Sequence, residues 1–338
     1  MNSKQIGVLA VLTIAAIGAA NASLRTGPQG LAGDRRGEPV FANLVPRLND
    51  VASVTIADSE KSFTVERREN GFFEKDSGYP VKADAFRDIL VGAATLAYEE
   101  TKTADPARYG DLGLGEAGGA PDTVGRQVTI RDGRGQVMAA VIVGARDATV
   151  GGARGGLYIR LPEQKQTFVV RGEVRAPAPH AAWFETNVTN IGRDALASVT
   201  LTGGGLDEIK AASEKKGDDL KLLNAPEDKD GDSSKIMRLS FMVDPISFQD
   251  VRKQAGAPAA DARRMIVTAR NGVQITYTVV GAMADGWVRF AVEATSEEGR
   301  AEAADLKTKL EGFDFKLAPH EIDMLGWALK DVTTERKG

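Results

Sequence analysis

The chain has 338 residues, 27% of them charged and 42% hydrophobic, with a formal net charge of −4. This length admits two domains that each bury a core, and the composition is globular rather than disordered. Acidic and basic residues are mixed without a basic stripe, so no nucleic-acid partner is expected, and the absence of cysteine excludes disulfides and thiolate chemistry.

Residues 1–5 carry one charge, Lys4, ahead of an uncharged run at residues 6–20 (IGVLAVLTIAAIGAA), and the next charge is Arg25. The run is a little short of the ~20 residues that comfortably span a bilayer. Ala20-Asn21-Ala22 resembles a small-x-small cleavage site. Residues 1–24 therefore read as a signal peptide or as an uncleaved apolar helix anchoring the chain, the anchor being slightly favoured. Either way Lys4 stays on the cytoplasmic side and the rest lies outside. Residues 25–39 (RTGPQGLAGDRRGEP) are punctuated by Gly and Pro, which predicts a flexible tether.

Residues 40–190 form a first unit. Residues 51–56 (VASVTI) predict a short strand, residues 62–68 (SFTVERR) an alternating one, and Asn70-Gly71 a two-residue hairpin turn returning through Phe72-Phe73. Phe86, Ile89, Leu90, Ala93, Leu96 and Ala97 fall at helical spacing on one face, with Tyr98-Glu99-Glu100 ending the helix. After a connector at residues 107–114 (ARYGDLGL), a second hairpin turns at Asp132-Gly133 between residues 127–131 and 137–143. Residues 157–161 and 167–170 add strands, and Ala178-Pro179-His180 leads into a short amphipathic stretch with Trp183 and Phe184.

Residues 191–338 repeat this plan. Residues 196–201 (LASVTL) answer residues 51–56, and residues 236–253 answer the first helix, with Phe248-Gln249-Asp250 in the place of Tyr98-Glu99-Glu100. Residues 265–270, the turn Asn271-Gly272 and residues 273–280 repeat the second hairpin, and residues 287–294 (WVRFAVEA) alternate as a strand. Ala318-Pro319-His320 answers Ala178-Pro179-His180 and opens a helix carrying Ile322, Leu325, Leu329 and Val332 on one face. A charged helix at residues 297–310 is particular to this copy. The period of roughly 140 residues describes duplicated domains, not a solenoid. The expected fold is α+β: two tandem copies of a mostly antiparallel sheet with covering helices, preceded by the N-terminal apolar helix.

In order along the chain, Asn49-Asp50-Val51-Ala52-Ser53-Val54, Tyr109-Gly110-x-Leu112-Gly113-Leu114 and Lys307-x-Lys309-Leu310-x-Gly312-Phe313-x-Phe315-x-Leu317 resemble the bacterial family known as domain of unknown function 4340. The resemblance implies a membrane-tethered, extracytoplasmic accessory protein on the periplasmic side of the cytoplasmic membrane. Its implied partners are an ABC-type permease and a gliding-motility-type auxiliary subunit, and it brings no catalytic residues to transfer. The alternative is a periplasmic protein that binds a cell-envelope glycan or lipid.

No residue pattern points to an enzyme. His180 and His320 each follow a proline at a helix start, a position duplicated with the whole unit. Residues 113–118 spell GxGxxG but follow a connector instead of a strand, so they cannot aim a helix N-terminus at a pyrophosphate. Residues 151–156 (GGARGG) lack the Gly-Lys-Ser/Thr ending of a phosphate loop; Arg154 is the residue there to test for contact. Residues 228–232 (DKDGD) suggest calcium, yet the sixth and twelfth loop positions are Ser233 and Leu239, and a solvated acidic turn is expected. Glu99 and Glu100 are sequence neighbours whose side chains diverge on a helix. No catalytic, cofactor-binding or metal-ligating residue is therefore assigned, and no cofactor is expected.

Overall fold

Both copies of the repeated stretch become strands, and each lies third from one edge of its own sheet. A computed structural model of the chain describes residues 35–336 except 60, 116–122, 151–154, 177–180, 187, 190 and 244. The chain divides between Phe184 and Glu185 into two compact bodies. The expected N-terminal helix and His180 lie outside the described residues. Among the described ones, no helix is long and apolar enough to cross a membrane.

The first body contains β1 (Val51–Ala57), β2 (Ser62–Arg68), β3 (Gly71–Glu74), α1 (Ala83–Thr95), β4 (Ala97–Thr101), β5 (Arg126–Asp132), β6 (Val137–Asp147), β7 (Gly156–Arg160) and β8 (Thr167–Arg171). These strands build one eight-stranded sheet in the order β3-β2-β1-β5-β6-β7-β8-β4. The second body contains β9 (Leu196–Thr202), β10 (Ile209–Ala212), β11 (Lys221–Leu222), β12 (Lys229–Gly231), α2 (Ser233–Ser240), β13 (Asp250–Lys253), β14 (Arg264–Ala269), β15 (Val273–Val279), β16 (Trp287–Ala294), α3 (Arg300–Leu310), β17 (Phe313–Lys316), α4 (Pro319–Leu325) and β18 (Thr333–Glu335). Its eight-stranded sheet runs β11-β10-β9-β14-β15-β16-β17-β13, strand for strand the order of the first. Every pairing within both sheets is antiparallel. The α+β architecture expected from the sequence is the one observed.

The duplication extends to an irregularity. Pairing of β1 with β5 steps from Val51↔Asp132 to Ser53↔Arg131, skipping Ala52. Pairing of β9 with β14 steps from Leu196↔Ala269 to Ser198↔Thr268, skipping Ala197. An extra residue in one strand turns the side chains before it to the other face. Val51, Val54 and Ile56 consequently all face inward, as do Leu196, Val199 and Leu201.

In the first body α1 buries Phe86, Ile89, Leu90 and Ala93, and Phe86 stacks on Phe72 at 4.4 Å between ring centroids. Removing each of the larger three, Phe86, Ile89 and Leu90, from water contributes about 1.5–3 kcal/mol. Trp183 and Phe184 close on Phe63, with ring centroids 5.5 Å and 5.8 Å away. In the second body the aromatic chain Tyr277, Phe290, Phe315 and Phe248 runs through the core at 4.6, 5.3 and 4.9 Å. Helix α3 lies against β16 and β15 and fills the connection that in the first body is the short loop between β7 and β8.

Several local expectations are corrected. The first hairpin pairs Arg68 with Gly71, so its two-residue turn is Glu69-Asn70, one residue earlier than Asn70-Gly71. The turn after Asp132 takes four residues, with the Asp132 carboxylate accepting from the Arg134 and Gln136 amides and Gly135 at φ +79°. Tyr98, Glu99 and Glu100 belong to edge strand β4 and not to the end of α1, which stops at Thr95. The last helix breaks at Gly326, leaving Leu329 and Val332 in a separate 3-10 turn. Residues at the end of the expected tether are ordered against β4: Gly37 N–H donates to Tyr98 O at 2.7 Å, and Tyr98 N–H to Glu38 O at 2.9 Å.

Candidate functional site

The connector that follows β4 packs against the sheet backbone, and glycine makes this approach achievable. Gly113 sits at φ +63°, where only a residue without a side chain is unstrained. A Cβ on Gly125 would lie 2.5 Å from the Gly113 carbonyl oxygen, and one on Gly144 would run into the Leu112 carbonyl oxygen. Leu114 is fully buried, the Tyr109 hydroxyl donates to Lys165 O, and the Arg160 guanidinium lies 4.7 Å from the centre of the Tyr109 ring.

Beside this connector β6 bulges. Its pairing with β7 jumps from Val143↔Ile159 to Arg146↔Leu157, so Gly144 and Ala145 oppose a single residue, Tyr158. The bulge re-aims Arg146 and opens a cleft of about 700 Å³ lined by Gly113, Gly125, Gly144 and the segment Glu173 to Ala176. Three arginines stand around it. Arg126 donates from Nη1 to Ala176 O, Arg146 pairs with Glu173, and Arg175 places Nε 3.5 Å from the same carboxylate. Asp88 of α1 contributes a second acidic group.

The end of β6 is fixed by Asp147, whose buried carboxylate accepts from the Thr149 amide (2.9 Å), the Thr149 hydroxyl (2.5 Å) and the Tyr158 hydroxyl (2.8 Å). These donors, led by the Thr149 hydroxyl, hold its pKa down at about 2. Burial, together with the hydrogen bond to Asp147, pushes the Tyr158 phenol up.

Ladder register makes Arg126 and Arg263 equivalent. Each immediately precedes the residue paired with the end of the repeated strand, Gln127 opposite Ala57 and Arg264 opposite Thr202. Their uses differ. Arg263 is buried and donates from Nε to Leu325 O (2.9 Å), from Nη1 to Gly203 O (3.1 Å) and from Nη2 to Trp327 O (2.5 Å), clamping the end of α4. Arg126 is exposed and makes one bond of 2.5 Å to Ala176 O, at the cleft.

The residues singled out in the sequence do not converge. His320 is exposed in the first turn of α4, and its neighbour Glu321 reaches back to the Ala318 amide at 2.8 Å while burial pushes its pKa up. Of residues 113–118, Gly113, Leu114 and Gly115 belong to the connector; residues 116–118 lie outside the described residues, as does Arg154. Asp228 and Asp230 of the acidic stretch 228–232 are exposed, but the stretch is not a turn: Lys229–Gly231 forms β12 against β18, and Asp232 caps α2 by accepting from the Ser234 and Lys235 amides. Glu99 is buried between Arg171 and Arg36, whereas Glu100 reaches Lys102 at 2.9 Å. In the second body a different ion pair ties the corresponding edge strand: buried Asp314 on β17 meets Arg289 at 2.8 Å and Arg252 of β13 at 3.5 Å. Among the described residues, no three His, Asp or Glu side chains gather as a metal site would require.

Two antiparallel sheets of one strand order, each locked by arginines on backbone carbonyls, define a duplicated α+β module. The chain belongs to the family described as domain of unknown function (DUF4340), whose match covers residues 72–264, more than half its length. That match begins inside β3 and ends at the first residue of β14, so it spans parts of both copies. No curated protein and no solved structure matches the chain.

Proposed function

We propose that the protein is a non-catalytic accessory module of an ABC-type transport system, held by its N-terminal apolar run on the outer face of the cytoplasmic membrane. The observation that carries this reading is the use made of the buried carboxylates. Glu99 and Asp314 lock edge strands, Asp132 and Asp147 hold turns, and Glu321 caps a helix. Side chains spent in this way stiffen a surface and leave shape and surface charge as its means of action. The apolar run at residues 6–20 supports the tether, and the transport setting is what the family resemblance noted in the sequence implies.

Crosslinking in intact membranes followed by mass spectrometry tests the reading. Permease or auxiliary subunits are the expected products; recovery of abundant unrelated proteins alone overturns it. The cleft of the first body favours a second reading, a protein that binds a cell-envelope glycan or lipid.

A further inference from the structure

We propose that the arginine-rimmed cleft of the first body binds an oxyanion, the phosphate or carboxylate of a cell-envelope lipid or glycan. The inference deepens the second reading above and stands independently of any permease.

Four features place the site. The cleft holds about 700 Å³, enough for a sugar or a head group. Among the described residues its rim carries Arg126, Arg146 and Arg175 against Asp88 and Glu173, a surplus of one positive charge. Glu173 is seated between the guanidinium groups of Arg146 and Arg175, so the cleft already accommodates one carboxylate. Guanidinium forks match carboxylate and phosphate oxygens in shape as well as charge.

The fourth feature is the internal comparison. Arg126 and Arg263 occupy one ladder position in two copies of one plan. In the second body the residue is buried and committed to three carbonyls. In the first it is exposed and holds one, leaving the outer edge of its guanidinium at the cleft. The β6 bulge brings Arg146 to the same opening. A fold that needed this position only as a clamp would repeat the clamp.

Glu173 gives the test an unusual sign. As an occupant it competes with an incoming anion, so Glu173→Gln tightens binding severalfold. As a structural tie alone it would leave binding unchanged or weaker.

The experiment uses the full chain in non-ionic detergent and three probes: inorganic phosphate, glucuronate, and phosphatidylcholine vesicles doped with phosphatidylglycerol. Binding is followed by equilibrium dialysis for the soluble anions and by co-sedimentation for the vesicles. The expected result is saturable, salt-sensitive binding of at least one probe, weakened about tenfold in Arg126→Gln/Arg175→Gln and unchanged in Lys221→Gln of the second body. Should the double variant unfold, Arg175→Gln alone carries the same direction, since its side chain is 67% exposed. Preference for vesicles assigns a lipid source, and preference for glucuronate or free phosphate a soluble or glycan one. No saturable binding of any probe, equal binding by all variants, or weaker binding by Glu173→Gln overturns the proposal, and none of these outcomes bears on permease crosslinking.

Discussion

Replacing the two equivalent arginines, one at a time, separates a clamp from an open rim. Arg263 is 2% exposed and satisfies three backbone carbonyls, two of them at the end of α4. A hydrogen bond from a charged donor contributes about 1.5–3 kcal/mol. Three that share one side chain are not additive, so Arg263→Ala is expected to cost about 3–5 kcal/mol. Arg126 is exposed and serves one carbonyl, so Arg126→Ala costs about 1 kcal/mol. Because two bodies make a single unfolding free energy ill-defined, amide hydrogen exchange read peptide by peptide is the appropriate assay. Peptides covering α4 and residues 326–332 should lose about two to four decades of protection in Arg263→Ala. Peptides covering residues 171–176 should lose less than about tenfold in Arg126→Ala. Equal losses, or a loss below tenfold in Arg263→Ala, would refute the assignment of different roles to the two positions.

Three further outcomes follow from single contacts. Gly92 lies in the last turn of α1, and a Cβ there would strike the Glu173 carbonyl oxygen. Gly92→Ala should therefore destabilise by about 1–3 kcal/mol despite alanine's higher helix propensity; a raised melting temperature would contradict this. The Asp147 carboxyl is depressed to about 2, so its stabilising contribution is complete above its ordinary value near pH 4 and disappears as pH falls towards 2. Asp147→Asn should lack that increment of acid sensitivity in urea titrations, and an unchanged acid profile would count against the network. Glu321 runs the other way: burial raises its pKa, so its contribution is present at low pH and lost as pH rises through the raised value. Glu321→Gln keeps the acceptor for the Ala318 amide and should stabilise the second body at pH 7 but not below about pH 4, as measured by exchange of the α4 amides.

The duplication was legible because strand patterning is local. Residues 51–56 and 196–201 share spacing, and the structure gives them the same burial, the same bulge and the same place in the sheet. The α1 face was legible for the same reason. Tyr98 to Glu100 read as a helix end in the sequence because strand β4 exists only by pairing with β8, and Glu99 is held by Arg36 and Arg171, far from it in sequence. The Glu69-Asn70 turn depends on the register of its ladder, which no dipeptide specifies. The cleft was invisible in the sequence because Arg126, Arg146 and Glu173 come from separate segments. Register-level alignment of the two copies would have paired Arg126 with Arg263, and this is the signal a sequence reading could have used.

In the proposed role this chain acts by being held against a partner in the membrane. The most direct test of that role is native mass spectrometry of the full-length protein released from its own membranes in mild detergent. The account predicts a complex of fixed stoichiometry with a permease or auxiliary subunit; a chain that emerges alone, and that turns over a substrate in this state, would contradict it.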